Sequence, residues 1–459
     1  MIQLLAASTS FQVMCLAAML DAGLLPPAER RILVLANGSM APELTVPLDE
    51  VPGFPALAER FDAVVDFGAL IAPRRVGAFN PRTEELVTFE RLLRTAWGLG
   101  REPVHLVLES IQVNPAQALA RIFHDAPITV HSDGLMSYGP TRSRLPRPIA
   151  QRIAGTCHVD LVPGLRPLLL HELCPRRTVV PLPALRRVFD EVARDPQVTG
   201  LLPRVPADHA LVLGQYLGAL GLLDDEQELE LHRQMLQEAA DCGAGHVVFK
   251  PHPSSSPASA RRLAVLAAQQ GLGFTLLRTP LLAETVIGAL RPQRVISCFS
   301  TALVTAHYML DIPVSAVGTD ALLQHLAPYQ NSNRIPLTLI HALFRQQLPA
   351  PSRVRSGSVD ELSALVRAVS YCMQSGQLES LRAQTEEYLE ANYAAHPEYF
   401  KRRRLAKLDL PPRWAHPNSQ RSPVLRLRRA AGRSVRGMQR RGARAFSSMA
   451  RRLESGARG

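Results

Sequence analysis

The feature that most constrains this chain is a repeated alternation between short apolar runs and longer segments with helical periodicity. The apolar runs have the length of buried strands, and the segments between them place apolar residues three or four positions apart. Strands that alternate with helices pair in parallel, and the helices pack on the faces of the sheet. The sequence therefore predicts an α/β protein.

The apolar pattern gives the limits of the predicted elements. The predicted strands are residues 2–7, 31–36, 63–67, 104–109, 128–131, 210–215, 246–250, 273–277, 294–297 and 313–317. The predicted helices are residues 11–21, 84–99, 115–123, 226–240, 258–270, 282–290 and 301–310. One more helix is predicted over 359–393, long enough to cross back to the first half of the chain.

A stretch rich in proline and turn residues, from Asp195 to Asp208, interrupts the alternation. Each side of it has the size of one Rossmann-like domain. The prediction is an N-terminal domain over 1–200, a C-terminal domain with the crossing helix over 208–395, and a basic tail over 400–459. Two Rossmann-like domains that face each other form the GT-B architecture of glycosyltransferases.

Composition excludes several classes of protein. With 46% hydrophobic and 20% charged residues, the chain has the composition of a soluble globular protein. No apolar run of about 18 residues predicts a transmembrane helix, and no basic residue precedes the apolar start, as one would in a secretory signal. The six cysteines are scattered without metal-ligand spacing, so we expect a cytoplasmic protein without a structural metal.

The net charge of +12 is unevenly distributed. Residues 401–459 hold 18 of the 52 basic residues and 2 of the 40 acidic ones, which leaves 34 basic and 38 acidic residues, a net charge of −4, in the first 400. The body is thus not a basic nucleic-acid binder, and no nucleic-acid partner is expected. Lys250 is the one lysine in that body.

The tail has a pattern of its own. Over residues 421–455, apolar residues recur every three or four positions and arginines fall mainly on the other side. A helix of this kind lies in the surface of an anionic membrane, which predicts a peripheral protein at the inner face of the plasma membrane. The alternative is a disordered basic tail.

Polar groups follow three predicted strands, at loops where open parallel sheets bind ligands. Asp133, before Gly134, could accept a proton from an acceptor hydroxyl. His252, held between prolines, could donate to a departing phosphate, with Lys250 as an added cation. Ser300 and Thr301 lie where a helix begins and its N–H groups favour a phosphate. Each loop also has a plain structural explanation as a turn or a helix cap.

In their order and flanks, these elements resemble the Asp-Gly, His-Pro and Ser-Thr motifs of the bacterial α-2,8-polysialyltransferase-like family. The resemblance covers about residues 1–320 and includes the segments VHSDGLMSYGPTR, HVDLVPGLRP, LVLGQYL, KPHP and CFSTAL. It implies an inverting transfer of a sialic (nonulosonic) acid from a CMP-sugar donor to a glycan or glycolipid acceptor, either of one residue or of a polymer. It also implies that the transfer needs no metal or other cofactor.

The resemblance also implies residue roles. Asp133 is the general base that deprotonates the acceptor hydroxyl, and His252 stabilises or protonates the CMP phosphate as it leaves. Ser300 and Thr301 hydrogen-bond that phosphate.

Gln215 and Glu284 are implied donor contacts, Glu284 through ribose hydroxyls, although a solvated helix position explains Glu284 equally well. The chain departs from the family at one position, because the first motif usually has two adjacent acids and Ser132 replaces the first of them. The general base is kept, but the electrostatic field that sets its pKa differs.

Three features leave alternatives open. Four arginines after the Asp133 loop fit an anionic acceptor, although we favour a solvated basic loop: Arg142, Arg144, Arg147 and Arg152. His-Pro and serine-rich loops also occur in CDP-polyol phosphotransferases of cell-wall polymer synthesis. A non-catalytic protein that binds a membrane surface through its tail is the third possibility.

Overall fold

The computed structural model describes residues 1–38, 45–173, 175–215, 217–218, 221–252, 257–344 and 356–415. The chain divides into two units, Met1–Tyr388 and a second unit that begins at Leu389. The predicted tail helix over 421–455 lies outside the described residues.

Seven strands form the first sheet: β1 (Ile2–Ala7), β2 (Arg30–Leu35), β3 (Ala63–Asp66), β4 (Val104–Leu108), β5 (Ile128–Ser132), β6 (Ile153–Val159) and β7 (Arg176–Val180). They pair in parallel in the order β3-β2-β1-β4-β5-β6-β7. The strand order reverses between β1 and β4. In such sheets, the crevice at the carboxyl ends of the two strands at the reversal is where ligands bind.

The helices of this part are α1 (Ser10–Asp21), α2 (Phe54–Ala58), α3 (Phe67–Ile71), α4 (Leu86–Ala96), α5 (Ala116–Ile122), α6 (Arg147–Ala150), α7 (Leu182–Ala193) and α8 (Pro196–Gly200). On one face of the sheet, strand residues such as Leu4, Ile32 and Leu106 are buried in a core that includes Phe67 and Trp97. Each such side chain stabilises the fold by roughly 1.5–3 kcal/mol through burial of apolar surface.

The turn between β1 and α1 is fixed by hydrogen bonds on both sides. The Thr9 Oγ1 accepts the Gln12 N–H at 3.2 Å, which caps the first turn of α1. The Gln12 Oε1 in turn accepts the Ser8 N–H at 2.7 Å. These bonds hold the residues after β1 rigidly at the carboxyl edge of the sheet.

Five strands form the second sheet: β8 (His209–Leu213), β9 (His246–Lys250), β10 (Gly273–Leu276), β11 (Arg294–Ser297) and β12 (Val314–Ala316). They are also parallel, in the order β10-β9-β8-β11-β12, and this order reverses between β8 and β11. The helices that follow β8 are α9 (Asp225–Asp241), α10 (Pro257–Gln269), α11 (Ala283–Leu290), α12 (Thr301–Tyr308), α13 (Thr319–His325), α14 (Arg334–Phe344), α15 (Ser356–Met373), α16 (Arg382–Asn392) and α17 (Arg402–Leu408).

The predicted α/β class, with two parallel Rossmann-like sheets, is confirmed, and each predicted strand is found within two residues of its predicted limits. The prediction of a single crossing helix over 359–393 is wrong, because the chain forms α15 and α16 with a turn at Gln374–Leu378 between them. Gly376 lies in that turn, and glycine costs a helix interior about 1 kcal/mol relative to alanine. The break leaves the Gln374 Nε2 donating to the Arg142 carbonyl, beside the first sheet, at 2.9 Å.

The described part of the second unit holds the end of α16 and all of α17. The Tyr393 ring packs against Phe400 and Trp414, with centroid separations of 6.4 and 5.8 Å. Among the helices in the described ranges, none has the length and apolar content to cross a bilayer.

Candidate active site

A cavity of about 350 Å³ lies between the carboxyl ends of the two sheets. The loops after β4 and β5 provide one wall, which includes Glu109, His131 and Asp133. Thr301, after β11, and Ile335, at the start of α14, belong to the other wall. Two Rossmann-like sheets whose carboxyl edges border one cavity are the predicted GT-B arrangement.

Asp133 is the first residue after β5, and its side chain is half-buried in the cavity wall. Loss of hydration raises the pKa of this carboxyl, and the negative charge of Glu109 adds to the rise. Positive charge on His131 and hydrogen bonds from Gln12 and the local backbone act in the opposite direction. A carboxylate with a raised pKa is a stronger base than an exposed aspartate.

Two buried side chains hold the surroundings of Asp133 in place. Gln12 spans the turn after β1, where its amide contacts both Ser8 and Asp133. The His131 Nε2 donates to the Ala6 carbonyl at 2.9 Å, which fixes the ring across the end of β1. Asp133 therefore lies in a preorganised polar pocket rather than in a mobile turn.

Glu109 is a residue of this wall that the sequence prediction did not single out. It directly follows β4, is 7% exposed and accepts the Ser8 Oγ–H at 3.0 Å. Its position at the end of a strand that borders the β1–β4 reversal is the signal that could have identified it. Arg142 also lines the cavity, whereas Arg152 donates to carbonyl groups at the end of α5 and has a structural role.

The second sheet has its own polar network at the reversal between β8 and β11. Gln215, beyond the end of β8, donates from Nε2 to the Ser297 Oγ at 2.7 Å. The Gln215 N–H donates to the His232 Nε2 at 3.2 Å, and burial lowers the pKa of His232 to about 4, so this nitrogen is an unprotonated acceptor. Gln215 therefore lies at the predicted edge, 8% exposed, and does not line the cavity described above.

Three charged or titratable side chains lie at the carboxyl edge of the second sheet or on α11. Glu284, on α11, is 6% exposed, and burial raises its pKa; the Lys250 charge opposes this rise and the Asp133 charge adds to it. Burial lowers the pKa of Lys250, and Glu284 opposes that change. Partial desolvation, followed by the Lys250 charge, lowers the pKa of His252, although this side chain is exposed at the surface.

The hydroxyl pair lies at the start of α12. The Ser300 Oγ accepts the Ala302 N–H at 3.2 Å, so Ser300 caps this helix, and Thr301 is its first residue and lines the cavity. The predicted positions thus come together in part: Asp133 and Thr301 share the cavity, and Lys250 and Glu284 interact electrostatically, as do Glu284 and Asp133. Within the described ranges, no cluster of three or more His, Cys, Asp or Glu side chains could hold a metal ion.

A family model described as Alpha-2,8-polysialyltransferase (POLYST) matches residues 3–319. This chain belongs to the alpha-2,8-polysialyltransferase family. The match spans both sheets and every predicted site residue, and it confirms the family that the sequence motifs indicated. Membership places the protein among the glycosyltransferases. A comparison with curated proteins finds no significant match.

Solved structures show a distant likeness in architecture alone. A glycosyltransferase from Rickettsia africae ESF-5 is 10% identical, with a TM-score of 0.36 over 84% of this chain and 97% of that one. MurG from Acinetobacter baumannii is 12% identical, with a TM-score of 0.36 over 86% and 97%. The UDP-GlcNAc 2-epimerase from Methanocaldococcus jannaschii is 10% identical, with a TM-score of 0.41 over 81% and 99%.

Proposed function

We propose that this protein is an inverting glycosyltransferase that moves a sialic (nonulosonic) acid from a CMP-sugar to a hydroxyl group of a glycan or glycolipid acceptor, without a metal ion. The observation that carries the proposal is the position of Asp133 and Thr301 on opposite walls of one cavity, in a member of the alpha-2,8-polysialyltransferase family.

On the first wall, Asp133 acts as the general base. The acceptor oxygen attacks the anomeric carbon of the donor sugar while the bond from that carbon to the CMP phosphate oxygen breaks, and the hydroxyl proton passes to the Asp133 carboxylate. Its raised pKa supports this role because a stronger base takes the proton more readily. Attack from the side opposite the leaving group inverts the configuration of the anomeric carbon.

On the second wall, the start of α12 receives the CMP phosphate. Thr301 and Ser300 donate hydroxyl hydrogen bonds, and the N-terminal end of the helix adds positive potential. His252 donates a proton or a hydrogen bond to the phosphate as negative charge develops, and Lys250 supplies a second cation. Support comes from the position of Lys250 at the end of β9, where its charge acts on His252 in the loop that follows.

Gln215 and Glu284 complete the donor side. Both are buried at the carboxyl edge of the second sheet, Gln215 by the β8–β11 reversal and Glu284 in the field of Lys250. Glu284 accepts hydrogen bonds from ribose hydroxyls, and Gln215 contacts the nucleotide. A buried carboxylate that faces bound hydroxyl groups exchanges its hydration for those hydrogen bonds.

The basic tail binds the anionic inner face of the plasma membrane, where a lipid-linked acceptor is presented. Sedimentation of the full chain with phosphatidylglycerol vesicles tests this part. We expect binding that falls with added salt and none to phosphatidylcholine vesicles. Equal binding to both lipids contradicts it.

A donor screen tests the activity itself. The full chain is incubated with CMP-sialic acid or CDP-glycerol and a panel of glycan acceptors, with and without EDTA, and the products are weighed by mass spectrometry. We expect a sialic acid mass increment that is insensitive to EDTA. A glycerol phosphate increment instead, or the loss of transfer with EDTA, contradicts the proposal.

A further inference from the structure

Two carboxylates lie on neighbouring loops at the carboxyl edge of the first sheet. Glu109 follows β4 and Asp133 follows the neighbouring β5, and both line the same cavity. Glu109 is 7% exposed, so its charge is held largely out of water. The adjacent Ser110 has a φ of +44°, a left-handed conformation that is uncommon outside glycine and concentrates at functional sites.

The turn after β1 contacts both carboxylates. The Ser8 Oγ–H donates to the Glu109 Oε1 at 3.0 Å, and the Ser8 N–H donates to the Gln12 Oε1 at 2.7 Å. The Gln12 side chain also interacts with Asp133 and opposes the rise in the pKa of that carboxyl. The turn after β1 thus fixes the position of Glu109 relative to Asp133.

Glu109 has no ion-pair partner in the part of the chain that the structure describes. The fully buried His131, on β5 just before Asp133, has an Nδ1 with no hydrogen-bond partner in those same ranges. A buried carboxylate without a counter-ion costs stability, which is typical of a functional group rather than of a packing element.

We propose that Glu109 is a positioning residue of the transfer reaction, which acts through Asp133 and supplies the second carboxylate of the base site from a neighbouring strand. The inference rests on the proposed role of Asp133 as the general base. Ser132, which precedes Asp133, carries no charge, so Glu109 on β4 provides the negative field that an acid at position 132 would provide.

The groups that face Asp133 set the direction of the effect. Burial raises the pKa of Asp133, Glu109 raises it further, and His131 and Gln12 lower it. Two groups on other elements also interact with Asp133: Cys15 on α1 and Glu284 on α11. Burial is the largest cause of the raised pKa of each, and the charge of Asp133 raises it further. Arg142 lines the same cavity.

Steady-state kinetics over a pH series test the effect on catalysis. In E109Q the Asp133 pKa falls, so we expect the acidic limb of kcat to move to lower pH and the plateau of kcat to drop roughly tenfold because the base is weaker. The double variant E109Q/S132D moves the carboxylate beside Asp133, and we expect it to restore both the limb and the plateau. E84Q, at an exposed carboxylate that does not line the cavity, is the matched control and leaves the profile unchanged.

A thermal-unfolding cycle tests the same coupling without any donor. E109Q, D133N and the double variant are melted between pH 5 and pH 8.5. In the wild type, each single substitution removes the repulsion between the two carboxylates and so raises the melting temperature. In a chain that already has the other substitution, that repulsion is gone, so the same change raises the melting temperature less. This difference grows as the pH rises and both carboxylates ionise.

The two measurements separate the two claims. The role of Glu109 is supported if the acidic limb of kcat moves to lower pH in E109Q and the effects of E109Q and D133N on the melting temperature are not additive. Additive melting at every pH, or an E109Q limb at its wild-type position, overturns it. If the wild type transfers nothing from CMP-sialic acid, the proposed function fails while the melting cycle still decides whether Glu109 is coupled to Asp133.

Discussion

The two sheets share one pattern of strand order and present different charged groups at their carboxyl edges. At the β1–β4 reversal, Ser8 bridges to Glu109 at 3.0 Å, and the acids Glu109 and Asp133 border the cavity. At the β8–β11 reversal, Gln215 bridges to Ser297 at 2.7 Å, and this edge also holds Lys250, with the Glu284 carboxylate in the field of that cation. A side-chain hydrogen bond thus spans the strand reversal in each sheet, and the charged groups next to that hydrogen bond differ between the two sheets.

Under the proposed function, this difference assigns the acceptor to the first side and the donor phosphate to the second. A wall with carboxylates suits a hydroxyl that must lose a proton, and repels a phosphate. A wall with a helix start, hydroxyls and a cation suits the phosphate that leaves with negative charge. Each substitution below removes one side of this contrast, beginning with the largest expected effect.

The acidic side is removed by D133N. The amide has nearly the same shape but cannot accept the proton, so we expect kcat to fall by about 10²–10⁴-fold while the KM for the donor changes little. D125N, at an exposed position, is the matched control. Near-wild-type turnover in D133N would remove this residue from the role of base.

The basic side is removed by H252A. The developing charge on the phosphate loses its proton donor, and we expect kcat to fall about 10²-fold. H124A serves as the control, because His124 is a largely exposed histidine in the segment between α5 and β5 of the first sheet. If H252A raised the acceptor KM alone and left kcat unchanged, His252 would belong to the acceptor side and the contrast would fail.

K250Q tests the role of the cation on the second side through the pH dependence of kcat. Desolvation and the Lys250 charge lower the pKa of His252 in the wild type. A proton donor is active below its pKa, so removal of the cation raises the His252 pKa and moves the alkaline limb of kcat to higher pH. Rates measured from pH 5 to pH 9 at saturating donor decide this. A limb that stays in place, or moves to lower pH, contradicts the assignment.

The smallest expected effect separates the structural role of Ser300 from its ligand role. S300A removes the cap of α12 and costs about 1 kcal/mol of stability, whereas S300G costs only a few tenths because glycine is a tolerated cap. If Ser300 also binds the phosphate, both variants raise the donor KM equally despite their different melting temperatures. A KM that follows the melting temperature would indicate a cap alone.

The sequence predicts the strands at the centre of each sheet because they are continuous apolar runs. It does not predict β6 and β7: β6 begins with partly exposed residues around Gly155, and β7 begins with Arg176 and Arg177, so neither has the pattern of a buried strand. The crossing helix was predicted too long because helical periodicity continues across the turn at Gly376.

The cavity positions of Asp133 and Thr301 were predictable because each residue follows a predicted strand, and their roles in transfer stay predictions. Glu109 was counted as the last residue of a strand, since nothing in its local sequence shows that β4 lies beside β1. Ile335 could not be predicted either, because the chain reaches the cavity there at the start of a helix that follows no predicted strand. Pairing order and helix placement are long-range properties that local periodicity does not contain.

The stereochemistry of transfer tests the central claim most directly. A wild-type reaction with CMP-sialic acid and an accepted glycan is followed by proton NMR, which reads the anomeric configuration of the first product formed. Direct attack by a hydroxyl that Asp133 deprotonates predicts a product whose configuration is inverted relative to the donor, formed at least about 10²-fold more slowly by D133N. A product that retains the donor configuration, or inverted product formed at the wild-type rate by D133N, would contradict the account.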